Sequence, residues 1–445
     1  MDVATQVSRQ LLSPTSTILL ALGGVPRISR AIHASGVQRR FASGMAHSFP
    51  AIFVRGGTSN GLLIHRKDLP PEADWPGVLP AAMGSPDPVH ARQLDGMGSG
   101  VSSTSKICIL APTEHKGADV EFTFVQVGIR DGTLDKAGNC GNMSSAVGPV
   151  ALDEGMVPEP RIRTVEGDDG EGPIRVAEVR VFNTNTRKVI HSRFRVAHDE
   201  ATGRLAFHPR GSYAIAGVPG SGSRVTLRFA DPAGAATGRG ALPTGKPVDV
   251  LQLSAGASVE ASLVDVGNPG VFVRAADVGV QGLDPAAVEA DSALKRRLEE
   301  VRGAGAVRMG LDPAVQSVPK IVLLFPPEPA AAEAGAVGLP EKADLRCLAL
   351  SMGQAHKAVP LTLALCLGAA AGIEGSLAAS LLEHDGSGHG RMVRTPDGGG
   401  TTTRLVIRHP SGMVEVGTTV DDDGMVRFSE LHRTARIMMK GDVFY

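Results

Sequence analysis

An α+β protein built from two similar halves is what this sequence predicts, on three observations. From Phe49 onward, short β-branched runs alternate with glycine-rich turns. Helical patterns are few. A turn of small residues opening a helix occurs twice, at CGNMSSAVGPVALDEG (140–155) and at MGQAHKAVPLTLALCLGAAAG (352–372), about half a chain apart. The first leads to a strand ending in Asn183-Thr184-Asn185, the second to one ending in His409-Pro410-Ser411-Gly412. Two copies of one α+β unit facing each other would account for the echo.

Predicted strands cover 51–55, 61–65, 107–110, 120–128 and 174–182 in the first half. In the second they cover 248–253, 262–266, 271–274, 320–325, 404–408 and 413–418. Each is rich in Val, Ile, Leu or Phe, the residues that fit a pleated surface. Predicted helices are 142–154, 284–302 and 356–381; Leu294, Leu298 and Val301 recur at helical spacing in the second. Connectors at 166–172, 231–246, 326–342 and 385–400 are dominated by Gly, Pro, Ala or acids. The Ala/Pro-rich segment 326–342 reads as a surface excursion.

Composition narrows the function. With 445 residues the chain has room for two domains, and 42% apolar residues can fill a core despite 55 glycines and 30 prolines. Only 13 Phe, 2 Tyr and 1 Trp are present, too few for a platform that stacks single-stranded nucleic acid. The formal net charge of −1 provides no basic field for nucleic acid either. Leu361–Gly372, the longest apolar stretch, falls well short of the roughly 20 residues needed to cross a bilayer. Four scattered cysteines (Cys108, Cys140, Cys347, Cys366) suit a reducing compartment and match neither a disulfide framework nor a metal clip.

Residues 1–45 are set apart from the fold. The first fifty residues hold Arg9, Arg27, Arg30, Arg39 and Arg40, no lysine and one acid, Asp2. An Arg- and Ser-rich, acid-poor start is the composition of an organellar transit peptide, so mitochondrial import is expected. The plainer readings are a disordered extension, or a start upstream of a true Met45, with a cytoplasmic location.

Three segments could carry chemistry. DGMGSGVSSTSKICIL (95–110) puts Gly and Ser residues ahead of a lysine entering an apolar strand. Its backbone N–H groups and hydroxyls, with one fixed cation, suit a carboxylate; the alternative is a polar hairpin with a solvated lysine. It lacks the spacing of a triphosphate loop and runs into a strand. In Gly138-Asn139-Cys140-Gly141-Asn142, a cysteine stands at a helix N-terminus, where the dipole lowers a thiol's pKa and can hold an anion. Cys108, Cys347 and Cys366, among aliphatic residues, fit a buried structural role; Cys140 does not. Ser351-Met352-Gly353-Gln354-Ala355-His356-Lys357 reads as the corresponding turn of the second half, with Met352 where a symmetric second cysteine would be. Asn268, in Asp265-Val-Gly-Asn-Pro-Gly270, is a turn residue of the same kind.

Two motifs mislead. Gly57-Thr-Ser59-Asn-Gly61 matches GxSxG, but a strand follows it where a nucleophile elbow needs a helix. The 13 histidines form no HExxH or HxH, so no metal is expected, and His384 and His389 read as solvent-facing loop residues.

Taken in order, Val54-Arg-Gly-Gly-Thr-Ser-Asn-Gly61, DGMGSGVSSTSK, GNCGN, Leu242-Pro-Thr-Gly245, DVGNPGVFV, Ser317-Val-Pro-Lys320 and SMGQAHKA resemble the PrpF family, from about residue 49 to the C-terminus. The resemblance implies a diaminopimelate epimerase-like fold, with halves at 46–232 and 233–445. Each would be a curved, mostly antiparallel sheet around a central helix, with the active site in the cleft between them. It places the catalytic residues on Lys106 and Cys140. The expected substrate contacts are Thr58 and Ser59; Gly98, Ser99, Gly100, Ser102, Ser103 and Thr104; Gly141 and Asn142; Asn268; and Ser351, Met352, Gly353 and His356. Met352 argues against a two-thiol racemase. Asn60 departs from the family, which usually has Lys or Arg there; if that cation touches substrate, the preferred acid differs from that of its relatives.

The implied reaction is a cofactor-independent 1,3-proton shift that moves a C=C bond in an unsaturated tricarboxylic acid such as 2-methylaconitate or aconitate. Its dienolate intermediate collects charge on carboxylate oxygens, where losing one backbone donor typically costs about 3–4 kcal/mol. Lys106 would handle the proton, which requires a pKa drawn down towards about 7–8; Cys140 would be its partner acid/base or an orienting thiol. The rivals are a keto–enol tautomerase of an oxo-tricarboxylate, an amino-acid epimerase and a non-catalytic partner of an aconitase-like enzyme. Partner expectations are a small tricarboxylate substrate, a homodimer and a functional link to an aconitase-like dehydratase, beside propionate metabolism.

Overall fold

In the computed structural model the described residues are 47–167, 172–200, 202–327, 342–383, 391–394 and 400–445. The leader expected at 1–45, His384, His389 and most of the 326–342 and 385–400 connectors lie outside them. No helix among the described residues is long and apolar enough to cross a membrane.

The first half begins with β1 (Ser48–Gly56) and β2 (Ser59–His65), an antiparallel hairpin closed by Gly57 at φ 52°. The GxSxG match lies in this hairpin, with a strand after it. Helix α1 (Trp75–Met83) leads to β3 (Lys106–Ala111), which runs parallel to β2 with Gly61 opposite Lys106. β4 (Val120–Val127) pairs antiparallel with β3, β5 (Leu134–Asp135) with the end of β4, and α2 (Gly141–Asp153) follows. β6 (Arg161–Glu166), β7 (Pro173–Asn183), β8 (Lys188–His198), β9 (Leu205–Phe207) and β10 (Val225–Ala230) complete it; β7 lies parallel to β4.

The second half repeats the order. After β11 (Asp249–Gln252), β12 (Ser258–Val266) and β13 (Asn268–Arg274) form a hairpin. Helices α3 (Pro285–Ala290) and α4 (Ser292–Met309) lead to β14 (Lys320–Phe325), parallel to β13 with Gly270 opposite Lys320. β15 (Leu345–Ser351) pairs antiparallel with β14, β16 (Gln354–Ala355) with the end of β15, and α5 (Leu361–Ala371) follows. After α6 (Leu377–Glu383) come β17 (Arg391–Arg394), β18 (Thr401–His409), parallel to β15, and β19 (Gly412–Val420). β20 (Val426–Arg433) bridges β19 and β10, and β21 (Ala435–Phe444) returns to pair with β1 from Ser48↔Phe444 to Gly56↔Ala435.

The apolar runs after the two lysines are buried on both faces, because strand side chains alternate. Ile107 and Ile109 pack outward with Trp75, Leu79 and Met83, while Cys108 and Leu110 pack inward with α2 residues such as Met143 and Val147. Likewise Ile321 and Leu323 pack with Leu298 and Val301 of α4, while Val322 and Leu324 join the inner core that holds α5. Both central helices are sheathed: all of α5 and every residue of α2 but Asp153 are buried.

Predicted and observed elements differ where side chains mislead. Helix α2 starts one residue before its expectation. The helix expected at 284–302 is two, because Asp291 accepts from Ala293 and Leu294 N–H and starts a second one. The helix expected at 356–381 begins only at Leu361, since Pro360 occupies its N-cap. Pro76, Gly77 and Pro80 hid α1, and the charged alternation of β8 (KVIHSRFRVAH) hid a half-buried strand.

One carboxylate ties three elements at the end of α2. Glu154 accepts from Lys440 Nζ of β21 at 2.5 Å, and His65 Nε2 of β2 lies 3.3 Å away. Hydrogen bonding to His65 first, then Lys440, holds its pKa down to about 2; His191, then Arg193, does the same for Glu178. A depressed carboxylate contributes stability above its unfolded pKa of 4.5 and loses it as pH falls towards 2. Glu154→Gln is therefore expected to lower the melting temperature at neutral pH and to flatten its fall between pH 4.5 and 2. An unchanged acid limb in calorimetry would contradict the assignment.

Candidate active site

Two helix N-termini meet at one cavity of about 590 Å³. A Cβ on Gly141, the first residue of α2, would lie 3.0 Å from Cβ of Leu361, the first residue of α5. Neither helix has a side-chain cap: Cys140 and Pro360 occupy the N-cap positions without one. Uncapped N–H groups and the helix dipoles favour anionic ligand atoms at this point.

Lys106 enters the cavity from the head of β3 and is 8% exposed. Its Nζ donates to Gln126 Oε1 at 2.5 Å and lies 5.3 Å from the centre of the Phe124 ring. Gln126 is itself oriented, because its Nε2 donates to Ser105 O (2.9 Å) and Ser102 O (3.2 Å). The amide oxygen must then face the lysine.

Cys140 lines the same cavity and is partly exposed, whereas the other three cysteines are buried. Burial pushes the Cys347 thiol up to about 12 and those of Cys108 and Cys366 upward too. The turn carrying Cys140 is held from both halves. Asn268 Nδ2 donates to Asn139 O at 3.1 Å, and Asn139 N–H to Asn268 Oδ1 at 3.4 Å. Asn142 Nδ2 donates to Thr58 Oγ1 of the first half at 3.1 Å, while Asn142 Oδ1 accepts from Thr58 N–H and from Arg433 Nε of the second half, both at 3.3 Å. Burial draws the Arg433 guanidinium down to about 10.

Of the residues expected from sequence, Thr58, Ser59, Ser102, Ser103, Lys106, Cys140, Gly141, Asn142, Ser351, Met352 and His356 line the cavity. Gly98, Ser99, Gly100, Thr104, Asn268 and Gly353 do not. The 98–104 stretch folds onto buried Gln93, whose Oε1 accepts from Gly100 N–H (3.0 Å) and Ser105 Oγ (2.6 Å). Ser99 Oγ is taken up by Thr104 Oγ1 at 2.7 Å. Asn268 acts from beneath, through Asn139. Met352 and Gly353 form the tight β15–β16 turn at φ 53° and 69°, so the counterpart of Cys140 ahead of α5 is Pro360, and Met352 lies eight residues earlier.

Gln126, Asp135, Asn139 and Lys320 also line the cavity and escaped the sequence reading; Gln354 and Lys357, in the Ser351–Lys357 turn that the sequence singled out, line it too. A signal existed for Lys320, since Ser103-x-x-Lys106-Ile107-x-x-Leu110 and Ser317-x-x-Lys320-Ile321-x-x-Leu324 share one pattern. The charged lining is Lys106, Lys320 and Lys357 against Asp135, an excess of cations. Burial, then Lys106, then Lys320 hold His356 down to about 4, so it is neutral at pH 7. Its Nε2 is buried without a hydrogen-bond partner.

The family model described as PrpF protein matches residues 46–445. The chain belongs to the PrpF family. It is 35% identical over 410 residues to 2-methyl-aconitate isomerase of Shewanella oneidensis, covering 88% of this chain and 96% of that protein. It is 34% identical over 397 residues to 4-oxalomesaconate tautomerase of Pseudomonas putida, covering 88% and 95%. A crystal structure of methylitaconate-delta-isomerase matches with a TM-score of 0.64 at 34% identity, over 90% of this chain and 96% of that one. The fold is diaminopimelate epimerase-like, and this PrpF-family chain is a C=C isomerase acting on a small molecule. These relatives are bacterial and lend no support to a mitochondrial location.

Proposed function

We propose that this PrpF-family isomerase moves the C=C bond of an unsaturated tricarboxylic acid, of 2-methylaconitate or aconitate type, by a cofactor-independent 1,3-proton shift. One observation supports it above the rest: Lys106 and Cys140 share a cavity with three lysines to one aspartate, at the meeting of two uncapped helix N-termini. That field favours carboxylates and, more strongly, the dienolate formed when a proton leaves the allylic carbon. In this reading Lys106 moves the proton. Cys140 is its partner at the helix end or orients the substrate there.

The test is proton NMR in D₂O of residues 46–445 with cis-aconitate, trans-aconitate and 2-methylaconitate in turn. A new alkene isomer carrying deuterium at the allylic carbon is expected. Folded protein that yields neither isomer nor exchange would overturn the proposal. The likeness to 4-oxalomesaconate tautomerase favours one second reading, keto–enol tautomerisation of an oxo-tricarboxylate, which a ketone signal in the product would reveal.

The proposal includes the division into halves at 46–232 and 233–445, with β21 crossing back to β1. It also includes a homodimer and a link to an aconitase-like dehydratase, which sedimentation and co-purification would test. A mitochondrial location rests on the composition of residues 1–45 alone.

A further inference from the structure

Arg433, the last residue of β20, is a buried cation behind the cavity wall. It is 8% exposed, and among the described residues no carboxylate lies within ion-pair distance of it. The titratable groups facing it are Tyr213, His409 and His432; burial holds both histidines neutral at pH 7, His409 at about 4 and His432 at about 3. A desolvated cation without a counter-charge is costly. What Arg433 touches is the first turn of α2: its Nε donates to Asn142 Oδ1 at 3.3 Å, and its Nη1 to His432 O at 2.7 Å. Thr58 N–H donates to the same Asn142 oxygen, also at 3.3 Å. Two N–H donors on one side decide which way the amide lies: its oxygen faces back to Arg433, and Nδ2 faces Thr58 Oγ1 at 3.1 Å. The turn carrying Thr58 is itself tied to the residue after Arg433, since Gly57 N–H donates to Thr434 O at 3.0 Å.

Two donors are then left over. Nδ2 gives one N–H to Thr58 Oγ1 and has another; Thr58 Oγ1, accepting from Nδ2, keeps its own O–H. Neither has an acceptor among the described residues, and both residues line the cavity. We propose that Arg433 is a positioning residue for the substrate: by fixing the Asn142 amide it aims Asn142 Nδ2–H and Thr58 Oγ1–H as a pair at one carboxylate of the acid. The inference rests on the isomerase reading above and names how that reading's substrate is held.

The guanidinium also polarises the amide, with oxygen towards the cation and N–H towards the anion, so part of its charge is felt at the carboxylate one side chain away. Arg433 touches neither the substrate nor the moving proton, and the roles of Lys106 and Cys140 are unaffected. A carboxylate held alike before and during proton transfer contributes uniform binding, which shows in KM and not in kcat.

The full chain and its variants are assayed by NMR with whichever of the three acids the wild type converts. Arg433→Met is expected to raise KM by about 10- to 100-fold, the worth of a hydrogen bond to a charged group, with kcat little changed. Its melting temperature should stay at or above wild type, because a desolvated cation is gone. Asn142→Asp tests the same geometry from the other side. It keeps an oxygen facing Arg433 and Thr58 N–H, gains an ion pair with the guanidinium, and replaces the remaining N–H by an oxygen that repels a carboxylate. A KM raised by at least as much, with no loss of melting temperature, is expected. A double-mutant cycle on KM shows whether Arg433 acts through the pair: added to Thr58→Val, Arg433→Met is expected to cost less than it does alone. Additive effects, or a wild-type KM in Asn142→Asp, would overturn the proposal while leaving the isomerase reading in place. Should Arg433→Met not fold, Asn142→Asp alone decides. Wild-type protein inactive on all three acids overturns the isomerase reading itself, and this proposal with it.

Discussion

Lys106→Ala is expected to lower kcat by about 10² to 10⁴-fold, the range a positioned acid/base group supplies, with folding intact. The side chain is held by an oriented amide: Gln126, pinned by two backbone carbonyls, presents its oxygen to Nζ at 2.5 Å. Removing the ammonium leaves that buried oxygen unpaired, which costs about 1–3 kcal/mol. The melting temperature should therefore fall modestly while turnover collapses. Gln126→Leu tests positioning separately, since it keeps the lysine and removes its guide. A Lys106→Ala enzyme that retains most of its turnover, measured by NMR, would sink the assignment.

Gly56→Ala is expected to destabilise the protein by about 2–3 kcal/mol, as overpacking of a tight interior does, and to reduce activity with it. A Cβ at Gly56 would stand 2.4 Å from Asn142 O and 3.0 Å from Met143 Cα, both backbone atoms of α2. β1 cannot retreat, because β2 flanks it on one side and β21 on the other. The first turn of α2 must move instead, and that turn carries Asn142 directly after Cys140. Gly77→Ala is the matched control: a Cβ on this exposed residue of α1 meets nothing within 4 Å. It should stabilise by about 0.5–1 kcal/mol through helix propensity. Equal melting temperatures for the two variants would refute the close approach.

Local patterns in the sequence were enough to place the strand after Lys106, the turn before α2 and Cys140 at its N-cap. These features depend on residues within a few positions of one another: a β-branched run extends, and Gly-Asn-Cys-Gly-Asn breaks the chain and starts a helix. The family motifs added the fold and the Lys106–Cys140 pair. The same patterns misplaced Met352, because a small-residue turn looks alike whether it closes a hairpin or opens a helix. Pro360, eight residues later, is where α5 begins.

Tertiary structure alone decided which polar residues of 95–105 line the cavity. Gln93, just outside that segment, draws Gly100 and Ser105 towards itself, and so turns 98–100 away from the cavity. It also decided that Lys320 belongs to the site, 214 residues beyond Lys106, and that β21 closes the sheet against β1. Strand register and helix meeting points are set by side chains far apart in the chain, whose burial no local window contains. Sequence by itself established the chemistry's residue types and their local conformations; the convergence of two lysines and two helix ends came from how the halves pack, because that electric field exists only once both are folded.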